Sequence, residues 1–241
     1  LREFEDVRNG NLEKTSEFPL SIKGAYVWPV FNNVADLLGS LERLEEVPHY
    51  LNRFSNSKLC EAVGINRHRW TSYHYSMFVI TMMTVYDTTL LLTNAVVGMG
   101  IDPRKCTDAA VRNHPDVESF GVKPALTSLS DLAATYRNPR NLLVHRSKLP
   151  DLGDLDDYER IRFLQDTSIE LGLKAEPILA PVLLNDLYRK RLREAIRTIR
   201  NETDHLQKLV IALPDALVPC YKAYVVTLGD LDKQTAKHGA A

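Results

Sequence analysis

Between residues 33 and 46, apolar side chains return at Val34, Leu37, Leu38, Leu41 and Leu44, the three-and-four spacing of one helical face. Pro48 predicts a break, then a second short helix carrying Tyr50, Leu51 and Phe54. From about 69 to 97 nearly every side is apolar, which predicts a long helix at the centre of a bundle, closed by Gly98 and Gly100. Residues 98–124, with Pro103, Pro115, Gly121 and Pro124, predict a loop holding one short helix. Helices are expected again from about 125 to 146 and from the acidic stretch after Pro150 to about 171. After Pro181 the apolar side of a long amphipathic helix is Leu184, Tyr188, Leu192, Ala195, Ile199, Leu206 and Leu213. Pro214 and Pro219 predict its end, with a last short segment around Tyr221, Tyr224 and Val225 and then a polar tail. The expectation is an all-α protein, an antiparallel helical bundle of about five main helices. Its domain spans 30–213, between an irregular lead-in (1–29, with a short strand) and a C-terminal segment (214–241).

Composition leaves this picture unchanged and narrows the chemistry. Of 241 residues, 44% are hydrophobic and 25% charged, as in globular domains, and the net charge of −1 gives no global attraction to nucleic acid or membrane. Cys60, Cys106 and Cys220 are odd in number and lack a C-x-x-C pair, which predicts a reducing, cytoplasmic setting without disulfides or a cysteine-rich zinc site. The first residues, LREFEDVRNG, do not read as a signal peptide. The apolar stretch 77–97 contains Asp87, which would cost about 2.5–3.5 kcal/mol at a bilayer centre, so a buried helix rather than a membrane span is expected. On that helix Thr81, Thr84, Asp87, Thr88 and Asn94 form a rough polar stripe. The threonines are expected to pack against neighbours, whereas a carboxylate inside a bundle needs a partner.

The most informative stretch is Tyr136-Arg137-Asn138-Pro139-Arg140-Asn141-Leu142-Leu143-Val144-His145-Arg146. Asn138 and Pro139 suit the cap and first position of a helix, so a restart or kink here would put Arg140 and Asn141 in a first turn whose free N–H groups attract phosphate. Arg137, Asn141 and His145, four apart, share one face of a continuous helix. Arginine offers an always-charged fork for phosphate, histidine moves protons near neutrality, and asparagine can orient either. These are parts for phosphodiester cleavage without a metal.

Arg140-Asn141-Leu142-Leu143-Val144-His145 resembles the R-x-x-x-x-H motif of the HEPN-superfamily ribonucleases, including the common Asn after the Arg. The resemblance implies an all-α bundle that dimerises so that two motifs meet in one cleft, and cofactor-free cleavage of RNA through the 2′-hydroxyl to a cyclic phosphate. It implies roles as toxins, in phage defence or in RNA processing, with an antitoxin or defence-system protein as a possible partner. On it, Arg140 and His145 would be catalytic and Asn141 orienting, with Arg137 and Asp87 supporting. Ser147 stands where partner-regulated toxins often carry Tyr, which departs from that style of control. The same spacing occurs at Arg69 with His74 and at Arg200 with His205. The third pair encloses Glu202 and Asp204, two carboxylates unfavourable beside a phosphate, and the first lacks the Asn.

Arg189, Arg193 and Arg197, continued by Arg200, form a basic stripe that, with Arg146 and Lys148, could hold an RNA backbone or simply be a solvated face. Arg67-His68-Arg69-Trp70 could stack a base and grip phosphate, or open a helix with Trp70 in the core. His68, His74 and Cys60 lack zinc spacing, and no metal is expected. The alternatives to a ribonuclease are a non-catalytic RNA- or protein-binding module of the same bundle, or a regulatory scaffold whose acidic run 151–159 covers the site.

Overall fold

A computed structural model describes residues 21–54, 58–173 and 177–238. Five helices of 17 residues or more build it: α1 (Ile22–Asn52), α3 (Arg67–Val97), α6 (Lys123–Arg146), α7 (Asp154–Glu170) and α8 (Pro181–His238). The short α2 (Lys58–Ala62), α4 (Asp108–Arg112) and α5 (Pro115–Ser119) connect them, and no strand occurs among the described residues.

The fold is an all-α bundle around α3. Asn66 caps its start by accepting the Arg69 N–H (2.8 Å), and Gly98, at φ 67°, closes it in the left-handed conformation. A Cβ at Gly98 would also meet the Tyr224 ring at 3.3 Å, a tight contact that the ring would have to yield to, so the positive φ and the close ring both favour glycine there. Phe78, Val79, Val85, Tyr86 and Leu90 of α3 are buried, and Leu44 and Leu51 of α1, Leu126 and Leu129 of α6, and Ile199 and Leu213 of α8 close over them. Each such side chain stabilises the fold by about 1.5–3 kcal/mol. The threonine hydroxyls of α3 are satisfied within the helix: Thr81, Thr89 and Thr93 each donate to the carbonyl four residues back, at 2.8–2.9 Å. Asn94 instead reaches out, exchanging two hydrogen bonds with the Ile101 backbone (2.8 and 3.2 Å) and so clasping the loop after α3.

Neighbours run in opposite directions. Tyr26 near the start of α1 donates to the Val96 carbonyl at the end of α3 (2.6 Å), and Trp70 at the start of α3 donates to the Tyr50 carbonyl at the end of α1 (2.8 Å). Phe78 meets Tyr136 edge-on at 5.5 Å, which places the second half of α6 beside the first half of α3. The end of α6 and the start of α3 therefore lie at the same end of the bundle.

Proline misled the boundaries three times. Residues 22–29, assigned to the irregular lead-in, are helical, and α1 continues through Pro29 and Pro48. α8 continues through Pro214 and Pro219, so residues 214–238 extend the long helix. An interior proline costs about 3 kcal/mol in an isolated helix. Here α1 and α8 pack along each other, with Leu37, Leu41, Leu206 and Leu217 buried, and this burial outweighs the lost bonds. The rest of the lead-in, including its expected strand, lies outside the described residues. By length and composition, α3 and α8 could each cross a membrane; 72% of the apolar window of α3 is buried inside the bundle against 22% in α8.

Candidate functional site

α6 divides in two. Leu126, Leu129, Ser130, Ala133 and Tyr136 are buried, and after Tyr136 no residue of the helix is. Tyr136 fixes the boundary: its hydroxyl donates to the Glu202 carboxylate of α8, and burial, reinforced by that carboxylate, pushes the phenol far above its usual range. Beyond it the helix does not restart. Pro139 sits inside a single helix ending at Arg146, so Arg140 and Asn141 lie in its closing turns rather than a first turn. That removes the free N–H groups expected for phosphate. The helix dipole at this end opposes an anion, leaving the side chains alone to grip one.

Those side chains are available. Arg137, Asn141 and His145 are all exposed along one face, as the spacing of four requires. Arg140 is half-buried and its Nη1 donates to Asn141 Oδ1 at 3.3 Å. His145 is exposed and, among the described residues, makes no hydrogen bond or ion pair. The helix then closes on Ser147, left-handed at φ 50°, with the Lys148 N–H bonded to the Leu142 carbonyl (3.1 Å). Arg146, the last residue of the helix, and Lys148, just past Ser147, are both exposed.

Asp87 is exposed at the edge of α3 rather than inside the bundle as its place in an apolar run suggested, yet enough protein surrounds its carboxyl for desolvation to raise it above the usual carboxylate range; the Arg140 and Arg137 guanidiniums pull the other way. No ion pair joins them among the described residues, so the attraction acts across a gap. Arg193 and Arg197 are exposed on α8, between Arg189 and the Glu202 that holds Tyr136. Arg189 points elsewhere: it lines a cleft of about 890 Å³ between α3, α7 and α8 that includes neither Arg140 nor His145.

The two competing spacings have other uses. Arg69 donates to the Gly64 carbonyl (2.8 Å) and His74 is buried among Trp70, Tyr73 and Tyr50, while Arg200 and His205 are both exposed on α8. Three acids of the run are engaged by residues outside the motif. Asp154 pairs with Arg191 (2.8 Å), Asp156 with His68 (3.2 Å), and Glu159 accepts from Asn66 (2.7 Å), which ties α7 to α3 and α8. Sequence reasoning missed the Tyr136–Glu202 link and this cleft. The link joins residues 66 positions apart, and only the burial of Tyr136 at the end of an apolar stripe hinted at it. Among the described residues no three His, Cys, Asp or Glu side chains stand close enough together to hold a metal ion.

Comparison with models of known families, with curated proteins and with solved structures finds no match to this chain.

Proposed function

We propose that this protein is a metal-independent endoribonuclease of HEPN type, in which Arg140 and His145 act on one phosphodiester of RNA. The observation that carries the reading is the exposed face of α6. It presents a guanidinium, an amide hydrogen-bonded to it and an unpartnered imidazole within two turns, held by the buried Tyr136 below. His145 takes the proton of a ribose 2′-hydroxyl, whose oxygen attacks phosphorus; the bond to the 5′-oxygen breaks, leaving a 2′,3′-cyclic phosphate. Arg140 neutralises the charge that develops on the phosphoryl oxygens, and Asn141 orients it. The departing 5′-oxygen needs a proton, which a second His145 supplies when two copies pair across this face. The exposed apolar residues Val144 (49%) and Leu149 (58%) beside the motif suit such pairing. Arg146, Lys148, Arg193 and Arg197 would hold flanking phosphates, while Arg189 in its separate cleft is not part of that track. A toxin, defence or RNA-processing role, with a partner protein controlling it, goes with this reading.

The openness of the face in a single chain also suits the second reading, a non-catalytic module in which the same pairing serves assembly. Digestion of single-stranded RNA in the presence of a chelator separates them. The ribonuclease reading expects products ending in cyclic phosphate, lost in Arg140→Ala and in His145→Ala. Equal cleavage by parent and both variants, or no cleavage by any, removes it.

A further inference from the structure

The cleft between α3, α7 and α8 has no part in the chemistry above, and Arg67, Arg162 and Arg189 line it together with Phe54, Tyr158 and Tyr188. Two long helices begin on it, α3 at Arg67 and α8 at Pro181, so the positive ends of both dipoles converge there. Asn66 Oδ1 takes the Arg69 N–H, which leaves the N–H groups of Arg67 and His68 without an acceptor among the described residues. Arg67 and Arg189 also line the cleft without a carboxylate in ion-pair range among the described residues, and Arg67 stands over the Phe54 ring at 5.4 Å. The acidic side chains on the same walls are engaged, Glu159 with Asn66 (2.7 Å) and Asp166 with Arg162 (3.7 Å). His68 Nδ1 is buried without a partner, while its Nε2 faces Asp156 at 3.2 Å.

The remaining lining selects among anions. Ile65, Ile178 and Leu184 offer apolar surface, and the Tyr188 phenol, pushed up to about 12 chiefly by burial, stays neutral there. Between them stand the amide of Asn185 and the guanidiniums. A hydrocarbon chain would cover these polar groups without satisfying them, and bare phosphate would leave the apolar surface wet. A phosphate carried by a ring with hydrogen-bonding edges meets both demands.

We infer that this cleft is a second site, separate from the α6 face, which binds a nucleoside phosphate, either free or as the terminal nucleotide of an RNA strand. Arg67, Arg189 and the start of α3 take the phosphate, and the Phe54 and Tyr188 side takes the base. The inference stands whether or not the chain cleaves RNA.

Equilibrium binding to the whole 241-residue chain tests it, using adenosine 5′-monophosphate, a short 5′-phosphorylated oligoribonucleotide, inorganic phosphate and laurate. The nucleotide should bind more tightly than inorganic phosphate and should not be displaced by laurate. Loss of one Arg–phosphate contact in Arg189→Gln or Arg67→Gln should weaken it about tenfold or more. His145→Ala should bind as the parent does, which keeps this result distinct from the fate of the ribonuclease reading. Tighter binding of the phosphorylated oligonucleotide than of the mononucleotide, itself weakened in Arg189→Gln, identifies a strand end as the ligand of this cleft, and the reverse order a free nucleotide. Equal affinity for inorganic phosphate, displacement by laurate, or an Arg189→Gln variant that binds like the parent would overturn the inference.

Discussion

Arg69 and His74 on α3, and Arg140 and His145 on α6, stand the same five positions apart, yet their surroundings share little. His74 is 9% exposed, stacked on Tyr50 at 5.1 Å and edge-on to Trp70 at 4.4 Å, and its arginine is spent on a loop carbonyl. His145 is open to solvent, and its arginine lies beside an asparagine that it touches. The spacing supplies only a common helix face or its neighbour. What the helix buries on that face decides whether the pair is architecture or available chemistry.

The largest effect separating the two regions is expected in activity. Arg140→Ala and His145→Ala should each reduce RNA cleavage by about 10²–10⁴-fold. Because both lie in the part of α6 beyond Tyr136 where no side chain is fully buried, their unfolding free energies in urea should stay within about 0.5 kcal/mol of the parent. The reverse is expected for His74→Ala, which empties an aromatic cluster: a loss of about 2–4 kcal/mol in urea unfolding, with cleavage retained at temperatures where the variant is folded. If His74→Ala proved as stable as the parent while losing cleavage, the assignment of roles would be inverted.

Acid sharpens the same contrast. Burial holds the His74 imidazole below the usual value of 6.5 in the native state. Above 6.5 the ring is neutral both folded and unfolded, so it contributes no slope. Below 6.5 the unfolded chain takes up the proton first, so stability falls as pH drops from 6.5 towards the native value and levels off beneath it. His74→Phe should flatten that part of a stability-versus-pH curve.

Tyr136→Phe tests the boundary between the halves of α6. It deprives the half-buried Glu202 of its donor and should destabilise by about 1–2 kcal/mol by urea unfolding, with Glu202→Gln milder because an amide still accepts. The smallest expected effect is a gain. Ser147 holds φ 50° where glycine is unstrained, so Ser147→Gly should stabilise by about 0.5–1 kcal/mol in the same assay.

Much of the bundle was legible in the apolar spacing, because α3 is apolar on most sides and α8 keeps Leu184, Tyr188, Leu192, Ile199 and Leu206 on the buried side. Even so, Val34 and Leu38, on the predicted stripe of α1, are exposed, and Ile196 rather than Ala195 is buried on α8. The prolines were misread because the rule describes a helix alone, whereas α1 and α8 support each other. The local arrangement of Arg137, Asn141 and His145 followed from helical geometry. Tyr136 with Glu202, His68 with Asp156, and the cleft around Arg67 and Arg189 did not, since each joins elements far apart in the chain and depends on how the helices pack.

Pro139 leaves one further mark. Without an amide hydrogen, it withdraws the partner of the Thr135 carbonyl, so the backbone ladder has a missing rung just before Arg140. Above that rung the turns are pinned by Leu126, Leu129 and Tyr136; below it they are fastened mainly by their own ladder. Deuterium should therefore enter this one helix at two speeds, slowly at Leu129 to Tyr136 and quickly at Asn141 to Arg146. The segment that bears the arginine and histidine can then fray by a turn while the bundle beneath it stays shut.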